Sequence, residues 1–434
     1  MKNKDTIFAL STPPGKSAIA VIRISGPKSI YILKKITKLK NYKKKSIMVA
    51  KIYNTQGEEI DKAVTAIYKN PKTYTGEDVL EIFTHGSSAV VKKLLLTLGS
   101  INGCRIAKPG EFTRRAFENN KLDLTQVEAI ADLVNSETEA QRRQATSHLS
   151  GSLSKKTKKW SKEILIILSN IEAIIDFSDQ NLPSQLVKKI KEQTRNTIKS
   201  IEEFINDGGY GEKIRAGFEA AVIGGVNTGK STFVNYLAKR DLSIVTNEPG
   251  TTRDVIELFY DLRGIPIKFY DTAGFRDPKN RAEKAGINKS LLYMKKCDIR
   301  LIFISKENEI TNYDTNKKNI FIISKLDIKK SIKKSKKIIY ISGKNGKGVT
   351  SLLKKIYTKI QCERTLEDAN VSRERQRHVL TKTIKNLKNS LNDKNIDIIA
   401  EDIRLANKEI TNLTGNNDIE DVLEIIFNEF CIGK

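Results

Sequence analysis

Cysteine, histidine and unbroken apolar sequence are all scarce in this chain. Its four cysteines, Cys104, Cys297, Cys362 and Cys431, lie far apart with no C-x-x-C pair. That spacing offers neither a disulfide framework nor a zinc-ligand pattern. The three histidines, His85, His148 and His378, are equally dispersed, which argues against a transition-metal site. The longest apolar runs, such as Ile164 to Leu168, are far too short to span a bilayer. Met1-Lys2-Asn3-Lys4 leads into Asp5 rather than into a long apolar region, so no signal peptide is read. The expectation is a soluble, cytoplasmic, reduced protein without a membrane span. Acidic residues are also in deficit, with 51 Asp and Glu against 77 Lys and Arg and a net charge of +26. Two readings of that charge stay open: a polyanionic partner such as RNA, or a lysine-, isoleucine- and asparagine-rich composition, since the lysines are spread along the whole chain. At 434 residues there is room for roughly two to four domains.

One stretch organises the rest. Gly224-Gly225-Val226-Asn227-Thr228-Gly229-Lys230-Ser231 follows the apolar run Ala220 to Ile223 and opens a helical pattern from Thr232 to Leu237. Strand, glycine-rich turn, Lys-Ser and helix is the context of a phosphate-binding loop. Glycines let backbone N–H groups curl around a phosphate chain, and the helix N-terminus adds its positive dipole end. Lys230 is expected to reach the outer phosphates and Ser231 to ligate Mg²⁺. Asn227, Thr228, Gly229 and Thr232 complete the expected contacts of this loop.

Downstream signals separate GTP from ATP. Asp271-Thr272-Ala273-Gly274 ends the strand pattern Ile265 to Tyr270, where the Asp271 carboxylate would hold Mg²⁺ through water and Gly274 would offer its N–H to the γ-phosphate. Gly250-Thr251-Thr252-Arg253-Asp254 lies where a GTPase places its first switch, with Thr252 expected to complete the Mg²⁺ shell; Thr246, Asn247, Glu248 and Pro249 just before it are counted among the expected nucleotide contacts. Ser324-Lys325-Leu326-Asp327 and Ser342-Gly343-Lys344 each follow an apolar run, where base recognition belongs. The Asp327 carboxylate can accept both N–H donors of the edge that guanine has and adenine lacks, and the Gly343 N–H can donate to the guanine carbonyl. The usual base motif is Asn-Lys-x-Asp; Ser324 stands in the Asn position. The order and spacing of these signals predict a Ras-like GTPase domain with a mostly parallel sheet.

Elsewhere the chain mixes patterns. Residues 1 to 120 read as α+β, with a buried strand Ala18 to Ile24 interrupted by Arg23 and another, Val79 to Phe83, interrupted by Glu81. A charge in an apolar strand is costly unless paired. Arg23 is either an edge-strand arginine reaching solvent or an anchor, and the two charges are either partners or face one polar ligand. From Lys121 the period turns helical. Thr125-Gln126-Val127-Glu128 is a capping-box pattern, long helices follow over Trp160 to Ile175 and Leu186 to Ile205, and Asp207-Gly208-Gly209-Tyr210-Gly211 reads as a linker. Helical patterning resumes after Arg364, so helices before and after an inserted α/β unit could form one discontinuous helical domain.

At this point the chain resembles the MnmE/TrmE family of tRNA-modifying GTPases, within the TrmE-Era-EngA-like GTPases, over nearly its whole length. The resemblance rests on Asp5-Thr6-Ile7, Thr12-Pro13-Pro14-Gly15, Arg23-Ile24-Ser25-Gly26, Tyr74-Thr75-Gly76-Glu77-Asp78-Val79-Leu80-Glu81, Lys108-Pro109-Gly110-Glu111-Phe112 and Asn120-Lys121-Leu122-Asp123-Leu124, and most specifically on Phe430-Cys431-Ile432-Gly433-Lys434. It implies an N-terminal folate-binding and dimerising domain (1–120), a discontinuous α-helical domain (121–212 and 362–434) and an inserted P-loop G domain (213–361). It also implies a homodimer that acts with an MnmG-like flavoprotein, FAD residing on that partner, to add an aminomethyl-type group at C5 of the wobble uridine of certain tRNAs. A tetrahydrofolate derivative, in a 5-formyl or methylene form, is the implied one-carbon donor, with Arg23, Glu81, Lys121 and Lys434 as its contacts. The same resemblance implies K⁺ held by Asn227, Thr246, Glu248 and Thr251 in place of an arginine finger, and Glu283 as the catalytic residue that orients the attacking water. Cys431 reads either as a nucleophilic thiol or as a buried structural cysteine. Two other readings compete: an RNA-binding GTPase switch in ribosome assembly, and a folate-binding regulatory module with a degenerate G domain.

Overall fold

The computed structural model describes residues 5–39, 46–176, 184–239, 243–245, 256–271, 297–314, 316–328, 335–361 and 370–415, with 423–424, 426–427, 430 and 433. The chain divides into two compact units, one of Met1–Ala131, His148–Ser169 and Ile403–Lys434, the other of Asp132–Ser147 and Asn170–Asp402. Among the described residues no helix is long and apolar enough to cross a membrane.

The first unit is built on six strands: β1 (Thr6–Leu10), β2 (Ser17–Ser25), β3 (Ser46–Tyr53), β4 (Glu59–Tyr68), β5 (Val79–Gly86) and β6 (Cys104–Ile106). They lie in the order β3-β4-β5-β2-β1-β6, antiparallel except for the β1–β6 pair. Side chains alternate across a strand, so Ile22, Ile24, Leu80 and Ile82 share one apolar face. That face is closed by α1 (Ser29–Thr37) and α2 (Ser88–Gly99) through Ile32, Leu33, Ile36, Leu94 and Leu98. The same alternation sends Arg23 and Glu81 to the other face. They are direct neighbours in the β2–β5 register, and Ala9 of β1 is opposite Arg23.

Helix α3 (Glu111–Glu118) contributes Phe112 to a small cluster with Ile7, Ala9 and Ala107. It also carries Arg115, whose side chain is only 1% exposed. Arg115 donates to Asp5 Oδ1 at 2.8 Å and to Glu77 Oε2 at 3.1 Å, and lies 3.3 Å from Glu111 Oε1. Arg105 braces two of these acids, pairing with Asp5 and lying 2.8 Å from Glu111 Oε2. Burial works to raise the carboxyls of Asp5 and Glu111, but hydrogen bonds from Arg105 and the charges of both arginines outweigh it and hold them below their ordinary values of 3.8 and 4.5.

Helix α4 (Leu124–Val134) starts differently from the sequence expectation. The reciprocal cap joins Asp123 and Gln126: the Gln126 N–H donates to Asp123 Oδ1 and the Asp123 N–H to Gln126 Oε1, each at 3.1 Å. Thr125 is already inside the helix, buried, its hydroxyl donating to the Asp123 carboxylate at 2.6 Å. The Asp123 carboxylate, two residues upstream, is thus the cap acceptor, and the Thr125 hydroxyl is one of its donors. Leu124, Val127 and Ala131 pack with Leu423, Ile426, Phe427 and Phe430.

The second unit contains α7 (Ser184–Ile205), α8 (Tyr210–Ala216) and a seven-stranded sheet; α5 (Glu139–Leu149) and α6 (Ser152–Asp176) precede them in the chain. The strands are β7 (Phe218–Gly224), β8 (Ser243–Val245), β9 (Ile256–Leu262), β10 (Ile265–Asp271), β11 (Ile299–Phe303), β12 (Asn319–Ile323) and β13 (Ile338–Tyr340). Their order is β13-β12-β11-β7-β10-β9-β8, parallel from β13 to β10 and antiparallel at β10–β9 and β9–β8. Helices α9 (Lys230–Ala238) and α10 (Val349–Gln361) bury Phe233, Leu237, Leu352 and Ile356 against it. Helix α11 (Glu374–Asn392) packs on α7, and α12 (Ile396–Asn412) closes the series.

The stretch 207–211 is a fastened turn rather than a loose linker. Asp207 is 3% exposed, and its carboxylate accepts the N–H groups of Gly209 at 3.0 Å and Gly211 at 3.2 Å. Arg377 of α11 pairs with Asp207 and with Glu212. Gly208 and Gly209 take positive φ there, and a Cβ on Gly211 would lie 2.0 Å from the Val371 carbonyl oxygen. The glycines therefore serve close packing.

The buried arginine gives a test. Arg115→Met keeps a similar stem but removes the guanidinium shared by Asp5, Glu77 and Glu111 and leaves Arg105 to brace Asp5 and Glu111 alone, which should cost about 3 kcal/mol. Asp5 and Glu111 have lowered folded-state values, so their stabilisation is complete above 4.5 and fades as pH falls through that value and below. Urea unfolding followed by the single tryptophan, Trp160 in this same unit, should show a lower midpoint at pH 7 for the variant. The loss between pH 6 and pH 3 should be shallower in the variant than in the parent.

Candidate functional site

Parallel strands β7, β10, β12 and β13 all end at one edge of the second unit's sheet. In register, Asp271 lies beside Val222 and Phe303 beside Gly224, so the end of β10 and the end of β11 flank the loop that leaves β7. Ligands of open α/β sheets bind outside the carboxyl ends of the strands.

The loop itself is tightly built. Gly224 has φ 148°, and a Cβ there would sit 2.3 Å from the Phe303 carbonyl oxygen. Lys230, 6% exposed, donates from Nζ to the carbonyl oxygens of Gly224 and Gly225 at 2.7 Å each. The Thr228 hydroxyl donates to the Gly225 carbonyl at 2.8 Å. Gly229, at φ 94°, is the residue from which α9 starts. Ser231 and Thr232 are exposed on the first helical turn, and Asn227 is exposed at φ 62°, a left-handed conformation that asparagine tolerates better than most residues. An ammonium folded onto a glycine-rich loop that runs straight into a helix N-terminus is the chemistry of a phosphate site.

The loops expected from the sequence to face the base follow β12 and β13. Ser324 is buried and its hydroxyl donates to the Thr228 carbonyl. Lys325 turns the chain at φ 62°. Asp327 and Lys344 are exposed; the Asp327 carboxylate accepts the Ser342 hydroxyl at 2.7 Å. That hydrogen bond, with its own N–H and the nearby Lys344 and Lys325, holds the Asp327 carboxyl below its ordinary value. Gly343 packs against α9: a Cβ would lie 2.9 Å from Phe233 N and 3.0 Å from Thr232 C. The structure thus brings Asn227, Thr228, Gly229, Lys230, Ser231, Thr232, Ser324, Lys325, Asp327, Ser342, Gly343 and Lys344 to one side of one sheet. Asp271 is placed as the last residue of β10. Thr246, Asn247, Glu248, Pro249, Gly250, Thr251, Thr252, Thr272, Ala273, Gly274 and Glu283 lie outside the described residues.

The first unit holds a second arrangement. The Arg23 Nε donates to Glu81 Oε1 at 2.9 Å. The guanidinium lies 5.6 Å from the Tyr74 ring centre and 5.8 Å from that of Phe112, within cation–π range. Arg23 Nη1 donates to the Gly433 carbonyl at 3.5 Å, and the Ser11 hydroxyl donates to the same carbonyl at 3.1 Å. Lys121 is exposed, its side chain running past Gly76 in the segment that carries Tyr74. Lys434 and Cys431 lie outside the described residues. Sequence reading named Arg23 and Glu81 for this site but gave no role to Tyr74, Phe112, Ser11 or Arg115. Only the register of β2 against β5 puts the first two charges opposite each other.

The phosphate loop, the acid-bearing base loop and the mixed sheet around them define a P-loop G domain, carried on a chain that also has an antiparallel-sheet N-terminal part and a set of long helices. Two family models match: the MnmE helical domain over residues 124–431, and the GTP-binding protein TrmE N-terminus over residues 6–121. The chain is 38% identical over 444 residues to the tRNA modification GTPase MnmE of Rickettsia bellii, covering 99% of this chain and 100% of that one. It is 37% identical over 435 residues to its counterpart in Ruegeria sp. and 39% over 446 residues to that of Rickettsia canadensis, with the same coverage. The chain belongs to the MnmE family.

The close approach at Gly343 yields a prediction. Gly343→Ala forces its methyl into the backbone of Thr232 and Phe233, an overpacking cost of about 1–3 kcal/mol. Relief of that clash moves the loop off the first turn of α9, so GDP titration should show weaker binding, by at most the roughly 150-fold that the full cost would give. Unchanged affinity would separate Gly343 from the nucleotide site.

Proposed function

We propose that this chain is a K⁺-stimulated GTPase that, with an MnmG-like flavoprotein carrying FAD, adds an aminomethyl-type (carboxymethylaminomethyl) group at C5 of the wobble uridine of certain tRNAs. The observation that carries the reading is the convergence of Lys230, Ser231, Asp271 and Asp327 at one sheet edge, within a chain that matches MnmE proteins end to end. Family membership over residues 6–121 favours this reading over a ribosome-assembly switch, which has no need of such an N-terminal domain. We take the chain to comprise a folate-binding and dimerising part (1–120), a helical domain in two pieces (121–212 and 362–434) and the G domain (213–361), working as a homodimer in the cytoplasm.

In this reading Lys230 leaves the loop carbonyls to meet the outer phosphates, and the exposed Ser231 hydroxyl fits an Mg²⁺ shell that Thr252 completes. Asp327 reads the guanine N–H edge while Gly343 offers its N–H to the carbonyl. Asn227, exposed on the loop, fits the oxygen shell of a monovalent cation together with Thr246, Glu248 and Thr251. A cation there would offset the charge that grows on the bridging oxygens. Glu283 orients the attacking water. In the N-terminal part, Arg23 and Glu81 supply donors and an acceptor beside two aromatic rings, a set that fits the flat pyrimidine half of a tetrahydrofolate derivative, with Lys121 and Lys434 for its anionic end. That group would supply the one-carbon unit.

The full chain should hydrolyse GTP at least about tenfold faster in KCl than in NaCl at equal ionic strength. Asn227→Ala should abolish the difference while GDP affinity changes little. Equal rates in the two salts remove the cation assignment. Glu283→Ala should slow hydrolysis about 10²-fold with GDP affinity intact; a normal rate removes its role.

A further inference from the structure

Ser324 occupies the position where an asparagine is usual, and its hydrogen-bonding capacity is already committed. It follows β12 and is buried, 6% exposed. Its hydroxyl donates to the backbone carbonyl of Thr228 in the phosphate loop. The fit is close, since a Cβ on Gly229 would lie 2.3 Å from Ser324 Oγ. A serine has one O–H; its remaining lone pairs can only accept. The N7 and O6 edge of guanine likewise presents only acceptors. Ser324 therefore holds the base loop to the phosphate loop and has no proton left for the purine. An amide at the same position would have two N–H donors, one for the Thr228 carbonyl and one for an acceptor on the base.

The recognising groups on the opposite edge are intact. Asp327 is exposed and oriented by the Ser342 hydroxyl at 2.7 Å, and Leu326 N–H is anchored to the Ile341 carbonyl at 3.1 Å. The loop carrying Gly343 sits against the first turn of α9. We infer that Ser324 is a specificity-determining residue that makes this G domain blind to purine N7, so that guanine is selected through its N1–H and 2-amino edge at Asp327. The inference rests on the guanine-nucleotide reading above and deepens it. Its consequence is a distinct analogue profile: nucleotides altered at N7 are accepted, and those lacking the 2-amino group are rejected.

The test is competition binding on the full chain with GDP, 7-deaza-GDP, in which N7 becomes C–H, and IDP, which lacks the 2-amino group. The parent chain should bind GDP and 7-deaza-GDP within about twofold of each other and IDP about tenfold or more weakly, since Asp327 then faces a missing donor. In Ser324→Asn, one recovered hydrogen bond should tighten GDP but not 7-deaza-GDP by roughly 2- to 12-fold. A parent chain that loses fivefold or more on 7-deaza-GDP overturns the inference. So does a folded Ser324→Asn variant that still treats the two alike, because position 324 would then not be the determinant. If the variant fails to fold, the parent ratio alone decides. Failure of the parent to bind any of the three overturns the guanine-nucleotide reading instead.

Discussion

Parallel pairing of β7 with β10 and β11 is the constraint on which the nucleotide site depends. Parallel strands deliver their carboxyl ends to the same edge, so residues far apart in sequence become neighbours. Gly224 lies beside Phe303, and Val222 beside Asp271. The second layer is backbone chemistry. Lys230 gathers two carbonyls of its own loop, and Ser324 fastens a carbonyl of that loop to the strand end beyond β12. Phosphate loop and base loop are thereby one hydrogen-bonded object, and a change at either is felt by the other.

The N-terminal sheet applies a comparable rule to charge. Period-two alternation keeps Ile22, Ile24, Leu80 and Ile82 on the helix-covered face and puts Arg23 and Glu81 on the other. Opposite signs at directly paired positions stabilise each other, and two aromatic rings flank the guanidinium. Arg115 goes further towards the interior, where three acids answer one guanidinium. An ion network of this depth contributes less to net stability than to fixing one arrangement of α3 against β1 and the segment before β5.

Much of this was legible from residues alone. The strand–loop–helix at 218–238 follows from glycine placement and apolar runs, and the strand-embedded charges Arg23 and Glu81 were identified as anomalous because a lone charge in an apolar strand is costly. What escaped reading was long-range. The turn at 207–211 looks like a linker because its glycines are visible, while its fastening, Arg377 on Asp207, comes from 170 residues away. The cap of α4 sits two residues earlier because the Asp123 carboxylate takes both the Gln126 N–H and the Thr125 hydroxyl. The antiparallel strand β9 falls between two nucleotide motifs and carries none of its own; its pairing with β10 through the Arg263–Gly264 turn is a tertiary fact. Arg115 carries no periodic signal, and its burial follows only from where Asp5, just ahead of β1, and Glu77, in the segment before β5, are delivered.

The central claim, that this G domain serves modification of the tRNA wobble uridine, is tested most directly by nucleoside analysis of tRNA from cells lacking the chain. The account predicts that the C5-modified wobble uridine disappears and returns when the intact chain is restored. An unchanged wobble uridine in the deletion strain would contradict it.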